Sequence, residues 1–143
     1  MRGIYNTIEA IRSTLDANPL IDRVLYGTRD DINEMKAEIG SFGQIWITSS
    51  TVNDSILSLG MIVVLGSKVK ESIGNEQDVL NKLAAVAARL ASELQYGDLH
   101  RDQYQMPGDM SLRPLYPENT GSDSYGGWEL SFTVEVLNDA HDG

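Results

Sequence analysis

Apolar side chains recur along the chain at two spacings, and the spacing names the element. Ile4, Ile8, Ile11 and Leu15 fall at i, i+4, i+7 and i+11, one stripe of a 3.6-residue period, which predicts an N-terminal amphipathic helix. Asn18-Pro19 stops it, because the residue before proline is pushed out of helical backbone. Arg23 to Tyr26 reads as a short strand ending at Gly27, whereas Thr28 to Phe42 is polar and shows no assignable period. Gln44 to Ser49 alternates, with Ile45 and Ile47 on one side and Trp46 and Thr48 on the other. After the turn signal Asn53-Asp54-Ser55, the apolar run Ile56 to Leu65 completes an expected antiparallel hairpin.

A second helix is predicted from Asn75, which can cap it with Asp78 three residues on, to Gly97, where a left-handed C-terminal cap belongs. Its core stripe is Val79, Leu83, Val86, Leu90 and Leu94. Ala84, Ala87, Ala88 and Ala91 flank the stripe and allow close approach to a sheet or a neighbouring subunit. Residues 98–126, with Pro107, Pro114 and Pro117, form a long connection of the kind that carries function or orders on a partner. Within it, Ser111 to Tyr116 is expected as a short edge strand, since Pro114 bars a central position. The last strand sorts cleanly: Trp128, Leu130, Phe132, Val134 and Val136 share one face, and Glu129, Ser131, Thr133 and Glu135 share the other. The polar face is expected to be wet. The fold class is therefore α+β, an antiparallel sheet with helices packed on one face and one long arm before the last strand.

Composition narrows the function classes. The 143 residues suit a single domain, 1–143, and 41% hydrophobic residues suffice for a core. The net charge of −10 is uneven: residues 1–70 carry 7 basic and 8 acidic groups, residues 71–143 carry 4 and 13. Such acidity disfavours a surface that grips nucleic-acid phosphates or anionic lipid. With no cysteine, disulfides, thiolate metal sites and cysteine nucleophiles are excluded, and a reducing compartment is compatible. The most apolar window, Leu59 to Leu65, falls short of the roughly 20 residues a membrane helix needs, and the N-terminus lacks a signal-peptide apolar region. A soluble intracellular protein is the expectation.

Candidate chemistry is sparse. Asp98, His100 and Asp102 alternate and offer three metal ligands on one face of an extended segment, but no second ligand cluster accompanies them, and a solvated loop after a helix explains them better. His141 lies at the C-terminus. There is no nucleophile elbow, and Gly121-Ser-Asp-Ser-Tyr-Gly-Gly reads as a turn before a strand; phosphate-binding glycine motifs are also missing. Asp30-Asp31 are adjacent and point apart in most backbones. Trp128 falls on an apolar strand face and reads as core, while Trp46 leaves core and ligand stacking both open. No catalytic residue, cofactor or metal is assigned. The pattern suits a protein that touches other proteins.

Four segments taken as a series go further: Gly74-Asn-Glu-Gln-Asp-Val-Leu-Asn-Lys-Leu, Gly97-Asp-Leu-His-Arg-Asp-Gln-Tyr, Leu112-Arg-Pro-Leu-Tyr-Pro-Glu-Asn and Gly127-Trp-Glu-Leu-Ser-Phe-Thr-Val-Glu-Val. With Tyr26-Gly27, Asp31-Ile32 and the hairpin before them, the chain over roughly residues 20–137 resembles the tail terminator (tail completion) and neck proteins of long-tailed bacteriophages. The resemblance implies a virion structural protein that forms a homohexameric ring. Such a ring caps the tail tube, ends its polymerisation and docks on the head–tail connector. It also implies assembly in the host cytoplasm, no membrane, and genomic DNA passing a carboxylate-lined lumen without specific binding. Assembly contacts are then expected from Asp102, Tyr104 and Met106 of the arm, Leu115 and Tyr116 at the edge strand, and Glu129 and Glu135 of the polar strand face. Two alternatives stand beside it: another neck component (stopper or adaptor) or a tail-tube subunit, and a small metal-dependent enzyme using Asp98, His100 and Asp102.

Overall fold

Helix α1 (Arg2–Asp16) leads into strands β1 (Arg23–Tyr26), β2 (Ser41–Asn53) and β3 (Ile56–Lys68). Helix α2 (Glu76–Tyr96) and strands β4 (Ser111–Leu115) and β5 (Tyr125–Leu137) follow. The structure is a computed structural model, and it describes residues 2–26, 41–53, 56–68, 76–96, 110–115 and 125–137. The class is α+β, as the hydrophobic pattern predicts.

Each predicted element is present, and its bounds follow the local signals. Helix α1 ends just ahead of Asn18-Pro19. The Leu20 N–H donates to Asn18 Oδ1 at 3.0 Å, a turn in which the side chain stands in for the next helical carbonyl. Helix α2 begins one residue after Asn75 and ends one before Gly97, the two capping positions themselves lying outside the described residues. Strands β2 and β3 pair antiparallel from Ser41↔Ser67 to Asn53↔Ile56, so the hairpin is longer at both ends than alternation alone suggested.

The sheet order is β1-β2-β3-β5-β4. Strand β5 inserts between β3 and β4, pairing antiparallel with both over Tyr125–Leu137 and Ser111–Leu115. Strand β4 thus lies at an edge, where Pro114 withholds no ladder hydrogen bond from a central position. One expectation is corrected: the sheet is mixed, because β1 runs parallel to β2, with Arg23 opposite Phe42 and Tyr26 opposite Ile45. A parallel pair needs a crossover of about a dozen residues or more, and the chain between β1 and β2 supplies that length.

Both helices cover the same sheet face. Ile11 and Leu15 of α1, Val79, Leu83, Val86, Ala87, Leu90 and Leu94 of α2, and the alternate positions Leu57 to Leu65 and Leu130 to Val136 form one buried cluster. The predicted stripes from Ile11 to Leu15, Val79 to Leu94 and Leu130 to Val136 are therefore residues that meet, with Ile8 and Trp128 partly buried beside them, and the Ile4 side chain lies outside the described residues.

The opposite face corrects a second expectation. It is not uniformly wet. Phe42 and Val64 are buried there, with Trp46, Ile62 and Leu115 packed against them, and Gln44 and Glu129 are buried in the same patch. Solvent reaches the far half, where Thr48, Ser49, Thr51, Asn53 and Thr133 are exposed, and the β4 edge, where Ser111 and Arg113 are exposed.

Between Ile47 and Ser49 the β2–β3 register shifts by one residue, so Thr48 and Ser49 both stand over Gly60. A side chain at Gly60 would begin 2.6 Å from Ser49 Oγ and 3.0 Å from Thr48 Oγ1. Glycine there makes room for the bulge.

Candidate assembly interface

Three of the four segments that carry the family resemblance converge in the fold. Residues 76–83 open α2, residues 112–115 lie in β4, and residues 127–136 lie in β5. Strand β4 lies against β5 in register, Arg113 opposite Glu129 and Pro114 opposite Trp128. The Trp128 indole N–H donates to the Leu80 carbonyl at 2.9 Å, tying β5 to the first turns of α2. Beside this contact Gln77, Asp78, Leu80, Asn81, Ala84 and Trp128 line an open cleft.

The Arg113 guanidinium meets the Glu129 carboxylate at 2.5 Å. The arginine side chain is 63% exposed and the glutamate 9%, so the surface here presents the positive end of the pair. Glu129 was expected as a surface carboxylate; the fold instead buries it beside Val64 and commits it to Arg113. The reason is tertiary. A polar residue on a strand keeps the same alternation whether water or a neighbouring strand satisfies it.

The other expected contact residues separate. Leu115 is half-buried and packs on the Phe42–Val64 cluster. Glu135 is half-buried on the solvated half of that face, opposite Ser58 of β3. Asp102, Tyr104, Met106 and Tyr116 lie outside the described residues, as do Asp98, His100, Asp30, Asp31 and His141. Leu112, 45% exposed on β4, was not singled out by its pattern, although a leucine on an edge strand is a direct contact candidate. Trp46 is resolved as packing on the second face and Trp128 on the helix face.

One polar cluster went unread in the sequence. Lys82 Nζ donates to Ser41 Oγ at 2.8 Å, and that hydroxyl donates to Ser67 Oγ at 3.1 Å. A serine within reach of a lysine is the outline of a nucleophile and its base. Here the serine is 1% exposed, so no substrate reaches it, and the lysine uses its proton to hold it. The cluster works as a staple between α2 and the ends of β2 and β3. Asp22 adds to it: its carboxylate accepts the Ser41 N–H at 2.8 Å, while its own N–H donates to the Ser41 carbonyl at 2.8 Å. Lys82→Met is expected to cost about 1 kcal/mol, a charged hydrogen bond with a partly solvated donor, and to lower Tm by a few degrees. Thermal unfolding followed by circular dichroism checks this, and an unchanged Tm would show that the staple bears no strain.

Among the described residues no group of three or more His, Cys, Asp or Glu side chains gathers to hold a metal, and no helix is long and apolar enough to cross a membrane. No protein-family model matches the chain, and no curated protein matches it. Among solved structures it is similar to the core region of PilO from the type IV pilus system of Pseudomonas aeruginosa. The identity is 13%, over 78% of this chain and 90% of that chain, with a TM-score of 0.30. At that overlap neither fold nor function carries across.

Proposed function

We propose that the chain is a structural virion protein of the tail-terminator kind: a ring that caps a phage tail tube, ends its growth and offers its upper face to the head–tail connector. What supports this reading is the convergence of the resemblance-bearing segments. The start of α2, β4 and the first half of β5 meet at the sheet edge, Trp128–Leu80 joining β5 to α2 on the helix side and Arg113–Glu129 joining β4 to β5 on the other. A surface made of segments distant in sequence, with Leu112 and Arg113 presented outward, suits contact with a neighbouring subunit. The homohexamer, the tail-tube and connector partners, the virion location and a lumen that passes DNA without binding it belong to the same proposal.

The arm provides the test. Strand β4 belongs to the folded sheet, so the replacement must spare it. Exchanging residues 98–109 for a short Gly/Ser linker is expected to leave thermal unfolding unchanged, since both helices and β5 keep their apolar stripes. Ring formation or docking on the tube should weaken, because an arm laid against a neighbouring subunit or the tube supplies contact surface. Negative-stain microscopy and co-sedimentation with tail tubes report the two steps. A wild-type protein that adds to tubes as further rings, without stopping their growth, is a tube subunit instead. One that forms no rings and ignores tubes ends the proposal.

A further inference from the structure

Strand β1 pairs with β2 only from Phe42 to Ile45. Beyond that, the outer edge of β2 from Trp46 to Asn53 has no partner strand among the described residues. Thr48 to Asn53 are all exposed. Apart from the bulge at Thr48, the edge lacks the usual guards against pairing: from Ser41 to Asn53 there is no Asp, Glu, Lys, Arg or Pro, in a chain of net charge −10. Val52, at its tip, is 61% exposed.

We propose that this edge pairs with the same edge of a second copy, antiparallel, about a two-fold axis at Ser50. Register is the argument. With Thr48 bulged out, Ile47, Ser50 and Val52 oppose Met61, Leu59 and Leu57 and so lie on the helix face. Trp46, Ser49, Thr51 and Asn53 lie on the other. Two copies centred on Ser50 match face for face. Ile47 stands opposite Val52 twice, Ser49 opposite Thr51, Trp46 opposite Asn53, and Ser50 opposite itself. A one-residue slip would set helix-face residues against the opposite face all along the pair. Ile47 then covers the exposed valine of its neighbour, and the serine and threonine hydroxyls sit within pairing distance. Neutrality selects a second copy as the occupant. In a two-fold pairing any charge near the axis meets its own like across it, and this run carries none. The opposite sheet edge is the poorer self-partner, since Pro114 offers no N–H and Arg113 would face like charge.

This inference does not rest on the ring reading, which uses the β4–β5 side. The test is the mass of the full chain in solution, by light scattering and sedimentation velocity. Ser50→Lys places two like charges at the axis, so it should halve the particle mass and leave thermal unfolding unchanged. Ser50→Glu should do the same, and an equimolar mixture of the two variants should restore the original mass. Because the chain has no cysteine, Ser50→Cys gives a clean covalent trap: paired Cα atoms about 4.5–5.5 Å apart suit a disulfide. Oxidation should yield a dimer band for Ser50→Cys and little for Val52→Cys, which faces Ile47. A wild-type monomer, or equal trapping at both positions, overturns the proposal. A particle whose mass Ser50→Lys leaves intact also overturns it, and if that particle is a ring the ring reading survives.

Discussion

Adding one methyl group at Gly127 is expected to remove a large share of the protein's stability. Gly127 lies opposite Gly66 on β3, and a Cβ built on it would sit 1.8 Å from the Leu65 carbonyl oxygen. That oxygen belongs to backbone held in the middle of the sheet, so no side-chain rotation relieves the overlap. Strands β3 and β5 must separate, losing ladder bonds and loosening the Leu65 and Trp128 packing beneath them. A cost of about 3–5 kcal/mol is expected for such a backbone clash, against a total stability of about 5–15 kcal/mol for an ordinary domain. Gly60→Ala is the control. Its Cβ comes closest to the hydroxyls of Ser49 and Thr48, the ends of exposed side chains that can turn away, so about 1 kcal/mol or less is expected. Urea unfolding of both variants decides the matter, and equal midpoints would show that β3 and β5 have slack at Gly127.

Phe132→Asp and Thr133→Asp should differ by about 3.5 kcal/mol or more, although the positions are adjacent. Phe132 is 5% exposed within the main cluster, opposite Met61. A carboxylate there has lost its water and gains no cation, a loss of about 4 kcal/mol or more when the missing ring is included. Thr133 points to the solvated half of the other face, opposite Gly60, where an acid should change stability by about 0.5 kcal/mol, slightly unfavourably beside Glu135. Soluble yield and thermal unfolding report the contrast. Matching behaviour of the two variants would mean that the alternation along β5 does not decide which side faces the core.

Local spacing carried much of the architecture. Ile11 and Leu15, the stripe from Val79 to Leu94, and the alternate positions of β5 all lie in the core because each element's geometry repeats at its own period, and burial follows one face. Helix α1 stops just before Asn18-Pro19 because the preference of the residue before proline acts within a few residues. Pro114 announced an edge strand since the missing N–H is a property of one residue.

The candidate interface was less legible. Its segments are distant in sequence, and only folding brings α2, β4 and β5 together around Trp128. The polar residues of β5 looked alike as a pattern, yet Glu129 is buried against Arg113 while Thr133 is exposed. The sequence by itself determined which side chains share a face, where the helices stop and that β4 lies at an edge, because each follows from backbone geometry over a few residues. Tertiary structure alone decided that β1 runs parallel to β2, that β5 enters between β3 and β4, that a lysine on α2 holds two serines at the strand ends, and that half of the second face is dry. These depend on which distant segments pair and on what covers a surface, and neither is encoded in the spacing of residues along one strand.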